Sequence, residues 1–224
     1  MKLMKKGFAL LLALTVAAGT NVSVLAVTFS DINDVPWEGA KTYINSVSDL
    51  GLMVGDTNSA GNKVFRSKDK VTYSILTKAG KASYSASVVT KWTAVMNGNK
   101  IPSWAQPAVA YSLENKVLSI DDISRFMKNA TTQNYATRED VAVIFGKALS
   151  PYYTVNTSPA LTYADASSVA STSSPYVDLL SRLSILVGDN NNKFNPRSYI
   201  NRAEMAVMTS KTYTTSSAGG QTTT

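Results

Sequence analysis

The chain has 224 residues, with 22 Lys and Arg against 15 Asp and Glu for a formal net charge of +7, and it contains neither Cys nor His. Without an imidazole or a thiolate, Ser-His-Asp and Cys-His nucleophilic arrangements and the common zinc sites are excluded; only carboxylate chemistry or Ser with Lys stays open to catalysis. Without disulfides, apolar burial alone must hold the fold together.

At the N-terminus, Lys2, Lys5 and Lys6 precede an uncharged apolar run from Phe8 to Ala18, and Val24-Leu25-Ala26 offers a small-residue cleavage site. This pattern predicts a secretory signal peptide over residues 1–26. The run is roughly half of the ~20 residues a membrane-spanning helix needs, so the cleaved chain is expected to be secreted, soluble and off the membrane. Cleavage removes three of the 22 basic residues and none of the 15 acidic ones, leaving +4. That surplus is scattered rather than gathered in a stripe, which argues against a nucleic-acid partner and suits anionic cell-wall polymers.

Further along, two motifs recur in fixed order. Gly39-Ala40-Lys41-Thr42-Tyr43-Ile44 leads to Gly51-Leu52-Met53-Val54-Gly55-Asp56, and Tyr176-Val177-Asp178-Leu179-Leu180 leads to Ile185-Leu186-Val187-Gly188-Asp189. Between them, Trp104-Ala105-Gln106-Pro107-Ala108-Val109 leads to Val117-Leu118-Ser119-Ile120-Asp121, without the glycines. Each copy continues through Phe65, Phe126 or Phe194 to a second motif, where Thr72, Thr137 and Asn201 lie 65 and 64 residues apart.

Each copy predicts two helices. In the first, Ala40, Ile44, Val47 and Leu50 fall on one helical face, and Gly51 can end the helix in a left-handed C-cap. The second helix starts at a capping box, Thr137 with Asp140 or Asn201 with Glu204. Apolar residues then follow at helical spacing: Ile75 and Ala79, then Val141, Ile144 and Phe145, then Met205 and Met208. A single helix pair buries too little to stand alone, so three copies are expected to share one core. The predicted segments are 27–99, 100–162 and 163–213, followed by a flexible Thr/Ser/Gly tail over 214–224. Ser- and Thr-rich boundaries at 83–99 and 150–162 separate them, although Val88, Trp92, Val95 and Met96 leave room for an extra helix in the former.

Phe29-Ser30-Asp31, Tyr163-Ala164-Asp165, the two Val-Gly-Asp turns, Phe194-Asn195-Pro196 and Ile200-Asn201-Arg202-Ala203-Glu204 resemble the S-layer homology (SLH) pattern. The resemblance covers nearly all of residues 29–213. It implies an all-α fold with irregular loops, in which three helix-pair repeats stand in a pseudo-threefold arrangement around a central helical bundle. It also implies non-catalytic binding of a pyruvylated secondary cell-wall polysaccharide in grooves between repeats, anchoring the protein to a Gram-positive cell envelope or S-layer, with other envelope proteins as further partners. The copies depart from the pattern: the first has Tyr73 in place of the family's arginine, and the second lacks the aromatic-x-Asp entry and the paired glycines. The alternative is a structural or protein-interaction module that has lost its glycan.

The residues expected to hold the glycan are Arg138, Arg202, Trp104, Tyr73, Asp31, Asp165, Gly55, Gly188, Glu139 and Glu204. Arg138 and Arg202 occupy the first turn of their helices, where the dipole disfavours a cation but attracts an anion. A guanidinium there offers a planar fork to a carboxylate. Equally, each arginine can pair with Glu139, Glu204 or a neighbouring aromatic-x-Asp carboxylate, and the two roles are compatible. Trp104, Trp37 and Tyr73 offer stacking faces; core packing is the favoured role for Trp37, and Trp104 is favoured as the groove aromatic with packing as its alternative role. Gly55 and Gly188 read as positive-φ turn glycines, and the resemblance brings their backbones close to the ligand. Asp56 to Gly61 begins like a calcium loop, but Ser67 occupies the position of the bidentate Glu. That segment and Asp189 to Lys193 are read as Asx-rich turns; no metal, cofactor or catalytic residue is expected.

Overall fold

The computed structural model describes residues 28–72 and 85–219. The predicted signal peptide, Tyr73, and Ile75 and Ala79 of the first copy's second helix lie outside them. Among the described residues, seven α-helices run in the order α1 (Ala40–Asp49), α2 (Ala86–Gly98), α3 (Gln106–Glu114), α4 (Ile120–Ser124), α5 (Arg138–Leu149), α6 (Ser174–Arg182) and α7 (Arg202–Gly219). Strands β1 (Asp56–Thr57) and β2 (Lys63–Val64) form a short antiparallel ribbon, so the fold is mostly helical with irregular loops.

The first helix of each copy ends in the same way. Gly51 follows α1 at φ 67°, as its sequence position predicts, and Lys116 and Ser184 take the corresponding places at φ 60° and 56°. Two successive N–H groups then return to one helix carbonyl: Leu52 and Met53 to Val47, Val117 and Leu118 to Ser112, Ile185 and Leu186 to Leu180, all at 2.8–3.2 Å. The left-handed residue turns the chain back so that two apolar side chains drop into the core. The middle copy therefore keeps the geometry after losing the glycine, at the cost of order 1 kcal/mol that a Cβ incurs in this conformation.

The second motifs meet one another. Val71 N–H donates to Ile200 O (3.0 Å), Ile200 N–H to Ala136 O (3.2 Å) and Ala136 N–H to Val71 O (2.8 Å), closing a ring of three backbone hydrogen bonds. All three residues are fully buried, where an unpaired amide would be costly. Helix packing is also cyclic: α6 lies on α5 of the preceding copy, and α1, first in the chain, lies on α7, where the Ser46 and Ser210 hydroxyls meet at 3.4 Å. One apolar core runs through all three copies, with Phe29, Phe65, Phe126, Phe145 and Phe194 among its fully buried members.

The extra helix that Val88, Trp92, Val95 and Met96 suggested within 83–99 is α2, which buries Met96 and packs on α3. One expectation is corrected. The last helix continues through residues expected to be a flexible tail, from Thr214 to Gly219, and Tyr153 Oη donates to Thr215 O at 2.8 Å. Residues 220–224 lie outside the described structure.

Candidate functional site

Thr137 caps α5 through the predicted box: Asp140 N–H donates to Thr137 Oγ1 (3.2 Å) and Thr137 N–H to Asp140 Oδ2 (2.8 Å). Asn201 and Glu204 do the same for α7 at 2.9 Å each way. Each cap fixes an arginine at the first helical position, and each arginine reaches into the next copy. Arg138 donates from Nε to Phe194 O (2.8 Å), from Nη2 to Val187 O (3.3 Å) and from Nη1 to Glu204 Oε1 (3.0 Å). Arg202 repeats the embrace, Nε to Phe65 O (2.7 Å) and Nη2 to Val54 O (3.0 Å), with its guanidinium 4.7 Å from the Phe65 ring centre.

The two arginines differ in their surroundings. Arg202 is only 8% exposed and has no ion-pair partner among the described residues; burial lowers its pKa, opposed by Asp56 and Asp69, yet a guanidinium keeps its charge. Arg138 instead lines an open cleft of about 680 Å³ together with Trp37, Tyr43, Gly188, Asp189, Tyr199 and Glu204. Of the five N–H donors a guanidinium carries, Arg138 commits three and leaves two, whereas the first backbone N–H groups of α5 are all bonded, Arg138 to Ser198 O, Glu139 to Pro196 O and Asp140 to Thr137 Oγ1.

A second cleft, about 430 Å³, lies between α5 and the start of α6. Its cations are all matched: Arg125 with Asp122 and Asp140 (3.1 and 3.4 Å), Lys147 with Asp122 (3.4 Å), and Arg197 with Glu139 (3.0 Å). Burial would raise the pKa of Asp122, but hydrogen bonds from the Ser119 N–H and hydroxyl, together with Lys147, outweigh it and leave the carboxyl below its ordinary value. Arg138 in the first cleft is likewise paired, with Glu204 at 3.0 Å, so both clefts hold matched charges.

Asp31 and Asp165, expected to touch ligand, tie loops. Asp31 accepts from Phe65 N–H (2.8 Å) and Arg66 N–H (2.7 Å), and Asp165 from Phe194 N–H (2.7 Å) and Asn195 N–H (2.8 Å). Each carboxylate thus locks the segment whose carbonyl receives an arginine. The expectation of positive φ at Gly55 and Gly188 is corrected, since neither adopts it. At Gly55 a Cβ would sit 2.4 Å from Val64 O, and at Gly188 3.2 Å from the Asn192 backbone, so tight packing explains both. The Asx turns are present: Asn58 Oδ1 accepts from the Ala60 and Asn62 N–H groups, and Asp189 Oδ1 from those of Asn191 and Lys193.

Trp37, favoured for the core though also offered as a stacking face, is 40% exposed and lines the Arg138 cleft; Trp104, 42% exposed, lines neither of the two clefts. Glu139 is buried, accepting from Ala170 N–H (3.0 Å) and pairing with Arg197, while Glu204 pairs with Arg138 as the ion-pair reading anticipated. Tyr43 and Tyr199 complete the first cleft; their sequence context carries no signal beyond an aromatic on an amphipathic helix and one ahead of a buried Ile.

The S-layer homology domain model matches residues 28–73 and 162–206, the first and third copies. The chain carries S-layer homology domains. No curated protein matches it. S-layer homology domains generally anchor proteins to cell-wall polysaccharide and associate them with the cell surface or S-layer. Arg138 belongs to the copy between the two matched domains and reaches into the second of them, so the open cleft is built across a domain edge. No helix among the described residues is long and apolar enough to cross a membrane.

Proposed function

We propose that this chain is a secreted, non-catalytic wall anchor of a Gram-positive-type bacterium that holds an acidic secondary polysaccharide, by family resemblance a pyruvylated one, in the cleft around Arg138. The middle copy acts as a third S-layer homology repeat, and the three stand around a pseudo-threefold axis; the closed ring of Val71, Ala136 and Ile200 supports this reading. The two N–H donors of Arg138 left beyond its three bonds carry the functional proposal: they present a fork of positive charge to a carboxylate in the open cleft. Trp37 and Tyr199 supply faces for sugar rings. Glu204 holds the guanidinium in place and raises selectivity, because an incoming anion must fit beside it.

Retention on purified cell walls tests this. Wild type should bind native walls, and both removal of pyruvyl groups and Arg138→Gln should release it; equal retention on native and depyruvylated walls would remove the carboxylate contact from the account. The burial of Arg202 favours a second reading for its region, as an assembly surface without glycan. If that reading held for the whole chain, Arg138→Glu would leave wall retention untouched.

A further inference from the structure

The residues immediately before the three ring members are Lys70, Tyr135 and Tyr199. Because Val71, Ala136 and Ile200 point into the core, the alternation of an extended backbone sends their predecessors outward. The three side chains gather there. The rings of Tyr135 and Tyr199 meet edge to face with centroids 5.7 Å apart, and Lys70 Nζ lies 4.6 Å from the Tyr199 centroid and 5.4 Å from that of Tyr135. Tyr135 is 45% exposed and Tyr199 50% exposed, while the core beneath them is already closed. Lys70 has no ion-pair partner among the described residues.

Tyr199 also lines the Arg138 cleft. Arg138, Tyr199, Tyr135 and Lys70 therefore form one continuous path from the cleft onto the apex of the ring. We propose that this apex is a second sugar subsite, in which Tyr135 and Tyr199 stack on a pyranose unit of the same acidic polysaccharide and Lys70 pairs with its negative substituent.

The chemistry favours a saccharide over a protein. A pyranose has an apolar C–H face for a ring and hydroxyls for phenol Oη, and an unpaired ammonium complements an anionic polymer. The flanking Thr72, Thr137, Ser198 and Asn201 are polar, so the apolar area is confined to two rings, far short of a stable protein interface. This inference rests on the wall-binding reading and extends it by chain length: the cleft alone recognises the charged unit, and the apex is reached only by a longer fragment.

Calorimetric titration with fragments of purified wall polysaccharide, sized from one repeating unit to several, separates the two. Tyr135→Ala and Lys70→Gln should bind a single unit as wild type does and lose about tenfold in affinity, about 1.4 kcal/mol, for longer fragments. Tyr135→Phe should keep that affinity, because the stacking face survives. Arg138→Gln should lose both. If wild type binds every fragment and Tyr135→Ala and Lys70→Gln match it at all lengths, the apex is no subsite and the cleft stands alone. If wild type binds none, the wall-binding reading falls and the apex with it.

Discussion

Gly146→Ala, in the middle of α5, sets local propensity against tertiary packing. Exchanging a helical Gly for Ala should stabilise by about 1 kcal/mol, since Ala loses less backbone freedom. In the fold, however, the new Cβ would lie 2.5 Å from Tyr176 Cβ and 2.8 Å from Tyr176 Cδ1. Tyr176 Cβ is bonded to the α6 backbone and cannot rotate away, so α6 must retreat by about 1 Å to restore carbon contacts near 3.5–4.0 Å. Such overpacking costs about 1–3 kcal/mol, and a backbone-anchored clash belongs at the upper end. Net destabilisation should be about 2 kcal/mol, which for a domain of this size lowers Tm by about 4–8 °C. Gly98→Ala is the control: nothing lies within 4 Å of its Cβ position, so it should stabilise by about 0.4–1 kcal/mol. Thermal melts followed by circular dichroism, with urea titration for the free energies, read both. A Gly146→Ala protein as stable as the Gly98→Ala protein would refute the close approach of α5 and α6.

Gly55→Ala should destabilise by about 3 kcal/mol in urea titration, because its Cβ would stand 2.3 Å from Phe29 Cε1 and 2.4 Å from a carbonyl oxygen that cannot yield. Asp165→Ala should cost about 3 kcal/mol by freeing the Phe194 and Asn195 N–H groups, each now bonded to a charged acceptor; a loss below about 1 kcal/mol would mean that the loop holds itself. The carboxyl of Asp122 titrates lower in the folded than in the unfolded chain, so its stabilisation is present above about pH 3.9 and is lost as pH falls through the lower folded value. Asp122→Asn should therefore lose less stability than wild type between about pH 5 and pH 3; parallel stability profiles would exclude this contribution.

The helix-pair plan was legible because it rests on local rules. Apolar spacing over Ala40 to Leu50 gave α1, and the pairs Thr137–Asp140 and Asn201–Glu204 gave the starts of α5 and α7, since a capping box is closed within four residues. The left-handed stop at Gly51 follows from its missing Cβ. Its equivalents Lys116 and Ser184 gave no such sign, because there the surrounding packing imposes a conformation their side chains disfavour. The helix within 83–99 was half visible: Met96 and Trp92 suggested it, while the many Ser and Thr residues argued for a boundary.

The candidate site divided along the same line. Residue type and position marked Arg138 and Arg202 as anion-directed cations at helix starts, and the chain kept that placement. Which of them faces an open cleft depended on contacts 56 to 148 residues away in the chain, for Arg138 to Phe194 and for Arg202 to Val54. The same holds for the exposure of Trp37 in that cleft, and for the loop-tying work of Asp31 and Asp165. Composition, periodicity and caps, which act over a few residues, determined the helices and the kinds of side chain at their ends. Burial and partnership arise only when segments far apart in the chain pack together, and that packing alone decided which charge is satisfied, which aromatic is exposed and where a cleft remains.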